Sequence, residues 1–271
     1  MKIVSFNANG VRARIHQIKF IVDKYRPDII GLQEIKVADD QFPVRAITEL
    51  GYHALYFGQK GHYGVALLSL LTPKRVIKGF PTDDKEAQKR LIAADFQTPE
   101  GKIIRIINGY FPQGDSRSNS IKFSAKSKFY QDLYIFLKTQ YVPEENLIII
   151  GDFNVSATDN DIGIGSNNKK RWLRIGKCSF LPEERNWFTT LLSWGLVDCF
   201  RELYPSEKNQ FSWFDYRSRG FEQEPKKGLR IDGILATHSL FRTCSSVKID
   251  YEARSMEKPS DHAPVVAEFA S

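Results

Sequence analysis

The stretch Leu147-Ile148-Ile149-Ile150-Gly151-Asp152-Phe153-Asn154 decides how the rest of the chain is read. Its apolar run is too short for a helix and has no polar alternation, so it predicts a strand buried on both faces. The run ends on a carboxylate and an amide two residues apart. In extended backbone this spacing turns Asp152 and Asn154 to one side and Phe153 to the other.

The same design recurs in Ile3-Val4-Ser5-Phe6-Asn7, Ile29-Ile30-Gly31-Leu32-Gln33-Glu34, Ile106-Ile107-Asn108-Gly109-Tyr110, Leu229-Arg230-Ile231-Asp232, and Ser260-Asp261-His262-Ala263-Pro264 before Val265-Val266. A single Asp or Asn at a strand end is usually a turn former. Six such ends in one chain point instead to a shared site. Oxygen and imidazole groups without a thiolate suit a hard cation and phosphate chemistry. Asp261 and His262 would diverge in a regular strand, but Pro259 and Pro264 predict an irregular backbone that lets both face the site.

The totals allow a sizeable core: 271 residues, 42% hydrophobic and 13% aromatic. They speak against disorder and against a membrane partner. The first residues read as a strand rather than an export signal, and the three separated cysteines fit neither a disulfide framework nor a zinc site. A reducing cytoplasm is the expected compartment. The net charge is +7, with basic residues bunched at Lys169-Lys170-Arg171, Arg174 and Lys177, and again at Arg217, Arg219, Lys226, Lys227 and Arg230. These stretches read as loops, and basic loops beside phosphate chemistry suggest a nucleic-acid footprint.

Strands are expected at Ile3 to Phe6, Ile29 to Gln33, Tyr52 to Phe57, Gly64 to Ser69, Leu91 to Phe96, Ile103 to Ile107, Leu147 to Ile150, Phe211 to Phe214, Arg230 to Ala236, Val247 to Tyr251 and Pro264 to Phe269. A helix capped by Ser124 carries Phe129, Leu133, Phe136 and Leu137, and a second runs from Pro182 to Gly195. No linker divides the chain, and residues from both ends must meet to form the site. The expectation is therefore one α+β domain over residues 1–271, with two packed sheets flanked by helices.

Hydrolysis of a phosphodiester needs a nucleophile made from water, neutralisation of transition-state charge and stabilisation of the leaving alkoxide. Glu34, helped by Asn7 or Asp261, is the expected Mg²⁺ ligand. Asp152 is assigned to orient and deprotonate water, Asn154 to fix the water, and His262 to donate to a phosphate oxygen. A buried carboxylate, Asp232, would hold His262 and favour its cationic form.

At these residues the sequence resembles the exonuclease III type of apurinic/apyrimidinic endonucleases, within the endonuclease/exonuclease/phosphatase superfamily. The most specific blocks are Gly58-Gln59-Lys60-Gly61-His62-Tyr63-Gly64 and Phe211-Ser212-Trp213-Phe214-Asp215-Tyr216-Arg217; Asp152-Phe153-Asn154 and Asp261-His262 are shared more widely. The resemblance implies a four-layered α/β sandwich with two mixed sheets. It implies a Mg²⁺-dependent enzyme, with Mn²⁺ able to substitute, that cuts duplex DNA 5′ to abasic sites and removes nucleotides or blocking groups from 3′ ends. Tyr110, Asp152, Asn154, Asp232 and His262 are then catalytic. Asn7, Glu34, Asp152, Asn154, Asp261 and His262 surround the metal. DNA would be met by Asn9, Arg90, Gln113, Lys122, Arg171, Lys177, Trp213 and Arg217, and the working form would be a monomer. The alternative expectation keeps the same centre but acts on a non-DNA phosphate ester, since a fold does not choose a substrate.

Overall fold

The computed structural model describes residues 1–270. The first sheet is built from β1 (Lys2–Asn7), β2 (Ile29–Gln33), β3 (His53–Phe57), β4 (Val65–Ser69), β11 (Cys244–Ile249) and β12 (Val265–Phe269), in the order β11-β12-β1-β2-β4-β3. The second is built from β5 (Pro73–Lys78), β6 (Leu91–Gln97), β7 (Ile103–Tyr110), β8 (Leu147–Asp152), β9 (Leu196–Asp198) and β10 (Asp232–Thr237), in the order β5-β6-β7-β8-β10-β9. Each sheet has a central parallel pair, β1 with β2 and β7 with β8, flanked by antiparallel neighbours. Among the described residues no helix is long and apolar enough to cross a membrane.

Alternation within the central strands explains the layering. Ile148 and Ile150 of β8 enter the core between the sheets, while Leu147 and Ile149 join the aromatic cluster outside them. That outer cluster is completed by α3 (Ser120–Gln140) and α5 (Pro182–Leu192), through Phe129, Leu133, Phe136, Phe188 and Leu191. On the opposite side, Val4, Phe6, Ile30 and Leu32 pack on Ile18 and Ile21 of α1 (Ile15–Tyr25) and on Ile47 of α2 (Val44–Glu49). The result is helix, sheet, sheet, helix: the expected four-layered sandwich.

The sheets touch closely at their central strands. A Cβ on Gly31 would stand 2.3 Å from Ile150 Cδ1 and 3.1 Å from Asn108 Cγ, so any larger residue there would force these side chains to shift. Beside it Asn108, fully buried, donates from Nδ2 to the carbonyls of Leu32 (2.9 Å) and Ala66 (2.8 Å) and accepts from Gln33 Nε2 (2.7 Å). This amide ties the sheets together behind the site instead of lining it.

Several sequence expectations need correction. Phe211 to Phe214 is not a strand: Ser212 Oγ accepts from the N–H groups of Ile231 and Asp232, and Trp213 makes only isolated bridges to Leu229 and His262. A side chain has taken the positions that a ladder partner would fill. The β11 strand stops at Ile249 because the Asp250 carboxylate caps the next turn through Glu252 N and Ala253 N. The long helix starts before Ser124, with Asn119 accepting from Lys122 N. Lys169 to Arg174 lie not in a loop but on α4 (Ser166–Ile175). Arg230 is buried in ion pairs with Asp161 and Asp198 and offers nothing to an external phosphate. The edge strand β5 and the short β9 escaped prediction; β5 is largely exposed and carries little apolar pattern.

Replacing Asn108 by Leu would strand the Leu32 and Ala66 carbonyls and the Gln33 amide. Orphaned buried groups cost about 1–3 kcal/mol each before relaxation, so Asn108→Leu should lose roughly 2–4 kcal/mol in urea unfolding. An unchanged midpoint would show that the cross-sheet amide carries no stability.

Candidate active site

Parallel strands deliver their carboxyl ends to one edge of a sheet, and antiparallel neighbours begin where those strands end. Hence Asn7 closes β1, Glu34 follows β2, Tyr110 closes β7 and Asp152 closes β8, while Asp232 opens β10 directly opposite Asp152. Asp261 and His262 lie just before β12, whose Val265 pairs with Ser5. The chain must turn sharply after several of these ends. Asn9, Glu34 and Asn154 all have left-handed backbone, with φ of 45°, 55° and 53°. Such strained positions persist where surrounding contacts over-determine them.

The side chains meet in a cleft of about 390 Å³ lined by Glu34, Tyr110, Asp152, Asn154, Asp261 and His262, with Trp213 and Lys177 on its walls. Asn7 Nδ2 donates to both Glu34 Oε2 (3.1 Å) and Asp152 Oδ2 (2.9 Å). Asn7 Oδ1 accepts from Asn9 N (3.0 Å), which fixes the orientation of the amide. Asn7 therefore shows the carboxylates a donor, whereas an oxygen toward a cation was expected. Asp261 is held from both ends, by Asn9 Nδ2 at 2.8 Å and Trp213 Nε1 at 3.0 Å. Asn154 N–H returns to Asp152 Oδ1 (3.0 Å) and its Nδ2 donates to the Phe111 carbonyl (2.9 Å), so its amide oxygen is the end left for the cleft.

His262 Nδ1 lies 2.8 Å from Asp232 Oδ2, as expected, and its Nε2 lies 3.9 Å from Asp152 Oδ2. Burial disfavours charge on the imidazole, but Asp232 and Asp152 outweigh it, pushing the pKa up to about 10. Asp152 is pushed up to about 7, first by burial and then by Asp232, with His262 and the Asn7 donor pulling the other way. Burial, then Glu34 and Asp152, hold Tyr110 well above the ordinary phenol value, so it remains an O–H donor.

A hard divalent cation fits this donor set. Two carboxylates converge on the one Asn7 amide, and ligand atoms of Asp152, Asp232 and His262 all lie within 4.8 Å of one another. Lys36, not anticipated, stands 3.0 Å from Glu34 Oε1 and supplies part of the missing positive charge.

The expected DNA contacts divide by exposure. Gln113, Lys122, Arg171 and Arg217 are exposed, and Asn9 and Lys177 are half-buried at the cleft, Lys177 Nζ lying 3.9 Å from the Trp172 ring centre. Trp213 is half-buried in the cleft wall beside Leu229 and Ile231. Arg90 is different. It is only 8% exposed, lies between the rings of Tyr63 and Tyr110 (4.2 and 4.7 Å to their centres), and donates to the Tyr110 carbonyl (3.0 Å). Its guanidinium is thus spent on holding Tyr110 rather than offered at the surface. Leu229, Ile231, Ser179 and Trp172 also line the cleft. Their apolar or neutral side chains gave no chemical signal in the sequence, although Ile231 adjoins Asp232.

Comparison with known proteins gives a consistent picture. The model of the endonuclease/exonuclease/phosphatase family matches residues 4–262. Exodeoxyribonuclease III of Haemophilus influenzae is 56% identical over 269 residues, spanning 99% of this chain and 100% of the relative. An AP endonuclease structure from Archaeoglobus fulgidus superimposes with a TM-score of 0.90 at 34% identity, covering 100% of both chains. A 3′ phosphatase from Neisseria, solved with a product DNA hairpin, gives a TM-score of 0.89 at 35% identity over 100% of both chains.

The coupling between Asp152 and His262 can be read directly by ¹³C carboxyl titration. Asp152 should titrate near pH 7. A neighbouring cation favours the carboxylate, so His262→Gln should move the midpoint upward. A wild-type midpoint near the ordinary aspartate value, or a downward move in the variant, would contradict the described electrostatics.

Proposed function

The chain belongs to the endonuclease/exonuclease/phosphatase family, and from that premise we propose that residues 1–271 form one catalytic domain of a DNA-repair nuclease. In this reading it hydrolyses the phosphodiester 5′ to an abasic site in duplex DNA and trims nucleotides or blocking groups from 3′ ends. The observation that carries the reading is the meeting of Glu34, Asp152, Asp261 and His262 in one cleft whose walls include Trp213 and Lys177.

Glu34, with Asp152 and Asp261 beside it and Asn7 orienting the carboxylates, would hold a Mg²⁺ or Mn²⁺ ion. When bound, such an ion neutralises charge on the phosphoryl oxygens and the leaving alkoxide. Asp152, with a pKa near neutrality, is suited to take a proton from water. Asn154 offers its amide oxygen to the same water. His262, kept cationic by Asp232, donates to a phosphate oxygen, and the Tyr110 hydroxyl donates beside it. Lys122, Arg171, Lys177 and Arg217 take phosphates along the duplex. The free thiols of Cys178, Cys199 and Cys244 support a reducing compartment such as the cytoplasm, where the protein acts as a monomer.

Incision of an abasic duplex compared with dephosphorylation of a phosphoinositide tests the substrate. The proposal expects metal-dependent cutting of the DNA, lost in EDTA and restored by Mg²⁺; turnover of the lipid headgroup alone would replace it with the non-DNA phosphoesterase reading. Asp152→Asn should lower turnover on the order of 10²- to 10⁴-fold while DNA affinity changes little. Near-normal single-turnover cutting would move the general base elsewhere.

Trp213→Ala should weaken binding to abasic duplex more than to intact duplex, by about 1–3 kcal/mol, with little change in salt dependence. Equal losses on both duplexes would make Trp213 a packing residue only.

A further inference from the structure

Lys126 on α3 and Glu184 in the first turn of α5 are both fully buried, outside the cleft itself. The ammonium of Lys126 hydrogen-bonds Glu184 Oε1 and donates to the carbonyls of Asn154 (2.8 Å) and Gln113 (3.2 Å), which uses all its donors. Glu184 Oε2 accepts from Ser179 N (2.9 Å) and Leu181 N (2.8 Å). The pair therefore holds main-chain atoms of three segments: one after β7, one after β8 and one after α4. Gln113, Asn154 and Ser179, one from each segment, all line the cleft.

If stability were the only requirement, an apolar pair of similar volume would serve as well or better, because burying two charges is costly. What an apolar pair cannot do is direct carbonyls. Asn154 sits at φ 53°, a conformation that needs outside support, and Lys126 supplies a charged donor to its carbonyl. The packing leaves little slack: a Cβ on Gly114 would meet Lys126 Cδ at 2.8 Å and Cys178 Sγ at 2.9 Å.

We infer that Lys126 and Glu184 are positioning residues, a buried ionic clamp that sets three walls of the cleft so that Asn154 stands correctly against Asp152. This rests on the nuclease reading above. Misplacement of a reacting group by about 1 Å can cost about 100-fold in rate. Loss of the clamp should therefore act on turnover before it acts on DNA binding.

The test compares Lys126→Met with the double variant Lys126→Met/Glu184→Gln, measuring thermal midpoint, affinity for abasic duplex and single-turnover incision. Lys126→Met leaves a lone buried carboxylate and should lower both the midpoint and the rate, the rate by about 10- to 100-fold with affinity within about threefold. The double variant removes the lone charge and keeps an acceptor for Ser179 N and Leu181 N. It should regain most of the lost midpoint while its incision stays slow, since a thioether in place of the ammonium cannot donate to the Asn154 and Gln113 carbonyls. Should the single variant not fold, the double variant decides alone. Recovery of incision together with stability, or a loss confined to affinity, would overturn the clamp. A wild-type protein that leaves the abasic duplex uncut would instead sink the nuclease reading itself.

Discussion

The placement of Asp152 directly opposite Asp232, across the β8–β10 ladder, is the constraint on which the site depends. Two buried carboxylates side by side are unfavourable in a water-poor edge unless charge is supplied or a proton is kept. The surroundings do both. His262 bonds to Asp232 and reaches toward Asp152, Asn7 donates to Asp152, and Asp152 retains an unusually high affinity for its proton. A base that titrates near neutrality thus follows first from burial and then from the register that sets Asp232 opposite it.

The same constraint makes the site suited to a cation. Glu34, Asp152 and Asp261 line the cleft with Asp232 behind them, and among the described residues the positive groups in direct contact with these carboxylates are His262, on Asp232, and Lys36, on Glu34. Such a ring would repel a phosphodiester. A divalent ion held by these carboxylates would reverse that repulsion and make an acidic centre compatible with a polyanionic substrate. The chain's basic residues then divide into two sets. Lys122, Arg171 and Arg217 are exposed at the surface, whereas Arg90, Lys126 and Arg230 are used internally to hold Tyr110, the cleft segments and Asp161 with Asp198.

Much of this was legible in the sequence because the central strands are covered on both faces and read as continuous apolar runs. Their ends fell where Asn7, Glu34 and Asp152 were noticed, whereas Asp232 begins its strand instead of closing the run Leu229 to Asp232. What was not legible follows from the same physics. The exposed β5 carries no burial pattern, and the Ser212 hydroxyl displaces a ladder that the alternation of Phe211 and Phe214 suggested. Arg230 looked like a surface charge because sequence does not show that Asp161 and Asp198 enclose it. Asn154 was expected to continue an extended strand, but its left-handed turn brings the N–H back to Asp152. Lys126 and Glu184, 58 residues apart, are joined only by the packing of two helices.

In the proposed reaction, water activated beside Asp152 attacks phosphorus directly. Incision of an abasic duplex in ¹⁸O-labelled water, followed by mass spectrometry of both product ends, tests it without reference to any variant. Direct attack predicts one labelled oxygen on the 5′-phosphate of the abasic fragment and an unlabelled 3′-hydroxyl on the other strand end. A label in the 3′-hydroxyl, or an unsaturated 3′ sugar formed by elimination, would contradict it.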